Sequence, residues 1–415
     1  MRILVVGGGG REHALAWRLS HEAEVLASPG NPGIAEDCET VQVSTKDHDG
    51  LVALCKARSI DLVVVGPEDP LIDGLGNVLR AAGIAVYGPN QDGAQLEGSK
   101  AFSKAVMTEA GVPTAAYQSF THPTEAIQFA RSRFDLGKGV AVKASGNALG
   151  KGVVVCNDFD SAVNAIERMM IAKEFGAAGD VVVVEDCLVG REFSVLTVVG
   201  DQNFVTLPIA QDHKRAYDGD QGPNTGGMGA FSPVAWITRE LIEEVESRIV
   251  RPTLEALKAK GITYRGTLFS GIMMDQGKPQ CLEFNVRMGD PETQAVMLRL
   301  GKGYADALLS SAVGRYIEAP EVSEQATVTV VVAGKDYPMS SSKGLPISFG
   351  ELPLGSKLFH AGTSLVDGQL VTNGGRVIAA SAAANTLPEA RKLAYQAAEA
   401  VQFEGARFRS DIALE

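Results

Sequence analysis

Short apolar runs closed by glycine or polar turns recur early in the chain: Arg2 to Val6, Glu24 to Ala27, Asp61 to Val65 and Ile84 to Gly88. Unalternating runs of that length read as strands buried on both faces, and the segment between the first two, Arg11 to Leu19, carries Ala14, Leu15 and Trp17 at helical spacing. This pattern predicts a doubly wound sheet, with the stretch Gly66 to Pro70 as a loop at its carboxyl edge. A helix opened by Glu97-Gly98-Ser99-Lys100 follows, carrying Phe102, Val106 and Met107, with Lys104 expected in solvent. Gly139 to Lys143, Val153 to Cys156 and Val181 to Val184 read as further strands, and Asp160 as the cap of a helix striped with Val163, Ile166, Met169 and Met170. Glu240 to Leu257 is amphipathic despite Pro252, which can end or kink a helix. Thr267 to Met274 and the run after Pro279 form a hairpin in which Leu282 and Phe284 face the core while Glu283, Asn285 and Arg287 share the other face. A strand at Ala326 to Ala333 begins a turn-rich last portion, closed by a helix at Pro388 to Val401.

Composition narrows the class. At 415 residues and 45% apolar, the chain can build two to four domains. A net charge of −12 argues against a nucleic-acid surface or a basic membrane face, so any anion site must be local. Five scattered cysteines suit reduced thiols in a cytoplasmic protein without structural zinc, and no apolar run reaches membrane-spanning length. The opening MRILVVGGGG carries neither a basic leader nor a signal-peptide apolar region.

Several stretches carry candidate chemistry. Cys281 to Glu292, CLEFNVRMGDPE, concentrates a carboxylate, an amide, a guanidinium and two further carboxylates. Glu283 and Asn285, two residues apart on one strand face, suit a hard cation such as Mg²⁺, and Arg287 suits an adjacent anion. Gly7 to Gly10 stands between a strand and a helix, where backbone amides can meet a phosphate. The dinucleotide fingerprint fails there, because Glu12 or His13 fills the third glycine position and Ser28-Pro29-Gly30-Asn31 follows the second strand in place of an acid. Ala144 to Gly152, ASGNALGKG, lies between two strands with Lys151 inside it, able to cover a triphosphate, and Lys143 points off the preceding strand. Gln211 to Pro233 is too polar and glycine-rich for a regular element; it offers charge in Asp212, His213, Lys214 and Arg215 and an anion nest around Asn224, Thr225 and Gly226. His213 lacks a second histidine at metal-ligand spacing.

Together the segments GGGGREHALAW, SPGN, GPE, QLEGSKAF, QDHKRAYDGDQGPNTGGMGAFSP, EFNVRMGDPETQ, HAGT and TNGGRV resemble the ATP-grasp ligases and, within them, the phosphoribosylamine-glycine ligase (glycinamide ribonucleotide synthetase) family. The resemblance spans nearly the whole chain. It implies an α/β and α+β multidomain fold: a substrate-binding doubly wound domain over 1–98, an ATP-grasp domain over 99–320 with a lid at about 116–188, and a small mixed β/α domain over 321–415. It implies that Lys100 and Lys143 hold ATP phosphates under a loop containing Gly150, Lys151 and Gly152, that Glu185, Asp186 and Leu188 frame adenine, and that Glu192 binds ribose. Glu283 and Asn285 would carry Mg²⁺ or Mn²⁺. Arg287, Lys143 and Asp212 would act in catalysis. Gly8, Gly9, Gly10, Asn31, Glu68, the Asp212 to Lys214 segment, Asn224, Thr225, Gly226, Arg287, Asp290, Pro291 and Glu292 would receive the substrates, glycine and 5-phosphoribosylamine. Ser145, Asn147 and Leu149 replace an acid and two apolar residues of the family loop, and no second metal carboxylate occurs between Thr267 and Met274. A cytoplasmic monomer without nucleic-acid or membrane partners is expected. Other ATP-grasp carboxylate-amine ligases and a non-catalytic nucleotide-binding protein are the alternatives, ahead of a nicotinamide oxidoreductase.

Overall fold

The structure, a computed structural model, describes residues 1–146 and 152–414. Glu39–Thr40, Glu24–Pro29, Arg2–Gly7, Leu62–Val65 and Val86–Tyr87 pair in that order as a parallel sheet, with Leu4 opposite both Leu26 and Val63. Successive side chains of the central strand enter different cores: Leu4 and Val6 pack with Leu51 and Leu71, whereas Ile3 and Val5 pack with Leu15 and Leu19 of the helix Gly10–Ser20. Burial on both faces is the reason the runs do not alternate. The stretch expected as a loop after Val65 instead turns into the helix Glu68–Ile72, with Pro67 at its N-cap, so Glu68 lies in a first helical turn.

A second sheet orders Tyr117–Phe120, Val182–Asp186, Val140–Ala144 and Val153–Cys156. One face packs under the helices Pro123–Asp135 and Phe159–Met170 through Val140, Val142, Ala130 and Ile166. Asp158, not Asp160, caps the second helix, its carboxylate accepting the Ser161 N–H at 2.8 Å. The opposite face presents Ala141, Lys143 and Glu185 to a cavity.

Across that cavity lies an antiparallel sheet ordered Phe204–Thr206, Gly190–Val199, Gly266–Asp275 and Lys278–Asn285. Its last two strands are the expected hairpin, but Gly271 pairs with Glu283 and Ile272 with Cys281, which leaves Leu282 as the extra residue of a bulge. Cys281 therefore takes the core position and Leu282 joins the cavity wall, contrary to strict alternation.

The helix predicted across Pro252 runs as Arg239–Val245, a π turn Glu246–Val250 and Arg251–Ala259. The widened turn precedes a proline that supplies no backbone donor. Gln211 to Pro233 is not a structureless loop: Gln211–Asp212, Arg215–Tyr217, Gln221–Asn224 and Gly229–Ser232 are short strands. Their order comes from distant partners, since Gly229–Ser232 pairs with Ala326–Ala333 in a sheet continued by Arg376–Ala384 and Ser356–His360. The helix Leu387–Glu399 covers this sheet with Ala390, Ala394, Ala397 and Ala398. That sheet ties the end of the chain to its middle. No described helix is long and apolar enough to cross a membrane, and all five cysteines are unpaired thiols.

Candidate active site

The cavity between the second and third sheets has a volume of about 300 Å³ and reaches Glu68 at the carboxyl edge of the first sheet. At one end Glu185 is clamped between two lysines: Lys104 approaches at 2.5 Å and Lys143 makes a closer ion pair. Lys104, expected in solvent, is 3% exposed and donates to the Thr114 hydroxyl at 2.6 Å. Lys100, Ser103, Lys104 and Met107 share the cavity-facing side of the helix Lys100–Glu109, and this spacing of i, i+3, i+4 and i+7 is the signal by which sequence could have found Lys104. Burial disfavours the Lys143 ammonium, but Glu185 and Glu283 outweigh burial and raise its pKa. For Lys100 burial prevails over Glu283, and the pKa falls. The Lys100 helix is anchored from the strand-loop side: the Ser145 carbonyl accepts the Lys100 N–H at 2.8 Å and the Ser145 hydroxyl accepts the Ala101 N–H at 3.0 Å.

Beside this cationic end, Glu283, Asn285 and Arg287 line the wall on one face, as expected. Burial pushes the Glu283 carboxyl up, but Lys143, Lys100, Lys214 and Arg287 together hold it below the ordinary range, so it is an ionised oxygen donor. The Asn285 Oδ1 accepts from Arg287 at 3.2 Å. Two oxygen donors at the end of one strand fit a Mg²⁺ ion that completes its shell with waters and phosphate oxygens. Among the described residues no group of three or more His, Cys, Asp and Glu forms a fuller metal cage.

Arg287 is held by two acids from elsewhere in the chain, Glu68 at 3.2 Å and Glu97 at 2.7 Å. Burial raises the Glu68 carboxyl, but Arg287 and Arg11 bring it down to about 2. Glu97 also accepts the Val286 N–H at 2.8 Å, which fixes the strand end that carries Arg287. Sequence reasoning missed Glu97, although it stands within the QLEGSK segment.

Adjoining this wall is a more acidic end, where Lys214 still acts on Glu283. Asp212, Lys214, Asn224, Thr225, Gly226, Asp290 and Glu292 line it, with Lys214 bound to Glu192 at 2.5 Å and to Asp212 at 3.3 Å. The Ser194 hydroxyl donates to Glu292 at 2.9 Å.

Other expected residues lie elsewhere or are differently engaged. Asp186, Leu188 and Gly152 line the cavity, but the Asp186 carboxylate is taken by Arg133 through two bonds of 2.6 Å. His213 is turned from the cavity: its Nε2 accepts the Ala413 N–H at 3.2 Å, and burial followed by Arg409 lowers its pKa. Gly8, Gly9, Gly10 and Asn31 are grouped at the first sheet, outside the cavity lining. There the Gly9 N–H donates to Glu12 at 2.6 Å, and the Asn31 amide donates to Gly8 O at 2.9 Å and His360 O at 2.8 Å. Pro291 packs at Gly227, whose positive φ of 111° suits glycine. Gly150 and Lys151 lie outside the described residues, as do Asn147 and Leu149.

Comparison with known proteins gives the arrangement its context. Residues 1–97 match the N domain of phosphoribosylglycinamide synthetase, residues 98–293 its ATP-grasp (A) domain and residues 327–415 its C domain. The chain is 42% identical over 418 residues to a phosphoribosylamine–glycine ligase of Rhizobium meliloti, covering 99% of this chain and 98% of that protein. It is 41% identical over 420 residues to the trifunctional purine biosynthetic protein adenosine-3 of Homo sapiens, covering 99% of this chain and 41% of that longer protein. A crystal structure of phosphoribosylamine–glycine ligase from Thermotoga maritima superposes with a TM-score of 0.87 at 34% identity, over 99% of this chain and 100% of that one. The biotin carboxylase domain of Hydrogenobacter thermophilus 2-oxoglutarate carboxylase, at 18% identity and a TM-score of 0.73 over 98% of this chain and 91% of that one, shares the fold. With full-length identity above 40% and all three domains matched in order, the chain belongs to the phosphoribosylglycinamide synthetase family.

Proposed function

We propose that the chain joins glycine to 5-phosphoribosylamine at the expense of ATP, giving glycinamide ribonucleotide, ADP and phosphate in de novo purine biosynthesis. The observation that carries this reading is one cavity that joins a lysine-rich end, an oxygen pair for a cation, a clamped arginine and an acidic end. ATP lies along the cationic end, with Lys100 and Lys143 against its phosphates, the backbone near Asp186 and Leu188 against adenine, and Glu192 toward ribose. Glu283 and Asn285 would hold Mg²⁺ or Mn²⁺, which supplies charge neutralisation for the transferring phosphoryl group.

Glycine's carboxylate oxygen attacks the γ-phosphorus, the bond to the ADP oxygen breaks, and glycyl phosphate forms. The amine of phosphoribosylamine then attacks the acyl carbon, phosphate leaves, and the amide nitrogen gives up its extra proton. Lys143 and Arg287 are preorganised cations where negative charge gathers in both steps, and Glu97 and Glu68 keep Arg287 aimed there. Asp212 and Glu292 are the carboxyls near the amine end, suited to orient it and receive the proton. No protein nucleophile is required. The glycine loop, Asn31 and Glu68 would complete the phosphoribosylamine site from the first sheet. The units 1–98, 99–320 with a lid at about 116–188, and 321–415 would divide these tasks in a cytoplasmic monomer.

The experiment is phosphate release from MgATP with glycine and phosphoribosylamine generated in the assay, with serine and alanine as control acids. Release requiring both substrates, favouring glycine and lost in folded Glu283→Ala, supports the reading. Release with another acid or amine alone overturns the substrate assignment, and near-native turnover in Glu283→Ala overturns the site.

A further inference from the structure

The last portion of the chain showed no catalytic group in its sequence, yet one of its side chains holds two walls of the acidic end. Arg376 begins the strand Arg376–Ala384. Its Nη1 donates to Gly226 O at 2.7 Å, Gly227 O at 3.5 Å and Asp290 O at 2.7 Å, and its Nη2 donates to the Asp290 carboxylate at 3.0 Å. Tyr337 grips the same segment from the other side, its hydroxyl accepting the Gly226 N–H at 3.0 Å. A Cβ on Gly226 would stand 3.0 Å from the Arg376 guanidinium carbon, so glycine lets that backbone close on the arginine. Gly226 and Asp290 both line the cavity at its acidic end, on segments 64 residues apart in sequence. Nothing at the lysine-rich end touches Arg376 among these contacts.

We infer that Arg376 is a positioning residue for the amine substrate: it locks Gly226 and Asp290 together and so sets the acceptor half of the site, without forming the nucleotide half. The guanidinium has the geometry for this, because one nitrogen of its planar fork reaches the Gly226 and Asp290 carbonyls at 2.7 Å while the other reaches the Asp290 carboxylate, a spread that the single nitrogen of a lysine ammonium does not offer. The Asp290 carboxyl, raised by burial, is brought below its ordinary value first by Arg376, and with the Gln294 amide donating to its other oxygen at 2.8 Å it is an ionised carboxylate fixed in the cavity wall. The His360 carbonyl, on the neighbouring strand Ser356–His360 of the same sheet, accepts from Asn31 in the turn after the first-sheet strand Glu24–Pro29, a second tether from this region to the first portion of the chain. The inference rests on the ligase reading above.

The test compares native protein with Arg376→Met, Arg376→Lys and Asp290→Asn, measuring Michaelis constants for phosphoribosylamine, glycine and ATP together with calorimetric ADP binding. Arg376→Met is expected to raise KM for the amine about tenfold or more while ADP affinity stays within about twofold; Arg376→Lys recovers part of the loss. The effects of Arg376→Met and Asp290→Asn on the amine KM should be less than additive, because both break one shared linkage. An amine KM within about twofold of native in folded Arg376→Met, or an equal fall in ADP affinity, overturns the inference. If Arg376→Met does not fold, Arg376→Lys carries the same criteria. Failure of native protein to ligate glycine would instead sink the ligase reading, so the two failures are distinguishable.

Discussion

Glu292 is 4% exposed, and burial followed by Asp212 pushes its carboxyl up to about 7, against Lys214 and the Ser194 hydrogen bond. Between its ordinary 4.5 and about 7, the folded chain holds a proton that the unfolded chain has released. Stability from this group is therefore complete below 4.5 and is lost as pH rises through about 7. Glu292→Gln keeps the shape and cannot ionise. Its melting temperature relative to native should rise between about pH 5 and pH 8, by the equivalent of roughly 2–3 kcal/mol at most. A difference that does not change with pH would contradict this placement of the charge. At the same scale the candidate site was half legible: residue types and their strand alternation exposed Glu283, Asn285 and Arg287, because period two is a local rule. Glu97 and Arg376 were not legible, since each acts on a segment far away in sequence and nothing in its own neighbourhood advertises the partner.

Among elements, the helix that carries Lys100 depends on Ser145, which lies in another strand's loop and is 5% exposed. Its carbonyl and hydroxyl satisfy two of the helix's first amides, and Ser99 accepts the Phe102 N–H at 3.2 Å. Ser145→Ala removes one of these acceptors and should cost about 1 kcal/mol of stability. It should also weaken ATP binding more than glycine binding, because it loosens the start of the helix that aims Lys100. Denaturant unfolding and separate ligand titrations check both parts; unchanged stability would show the cap to be dispensable. Apolar runs made the first sheet and the hairpin readable, whereas the strands within Gln211 to Pro233 were hidden. Their polar, glycine-rich residues carry no periodic signal, and pairing with Ala326–Ala333 supplies the order that their side chains do not. The Leu282 bulge was hidden for a related reason, since a register shift depends on the partner strand.

Across the whole molecule, the site is assembled from each portion of the chain: Glu68 from the helix at the carboxyl edge of the first sheet, Lys143 and Glu185 from the second sheet, Glu283 from the third and Arg287 just past its last strand, and Arg376 behind Asp290 from the last. The cavity keeps a cationic end and an acidic end side by side, which suits a carboxylate that must first take a phosphoryl group and then meet an amine. The most direct measurement follows the oxygen. Glycine labelled with oxygen-18 in its carboxylate is turned over with MgATP and phosphoribosylamine, and the released phosphate is weighed by mass spectrometry. Activation through glycyl phosphate predicts one labelled oxygen in each phosphate and one retained in the product amide. Unlabelled phosphate, formed while product accumulates, would contradict phosphoryl transfer to glycine as the work of this cavity.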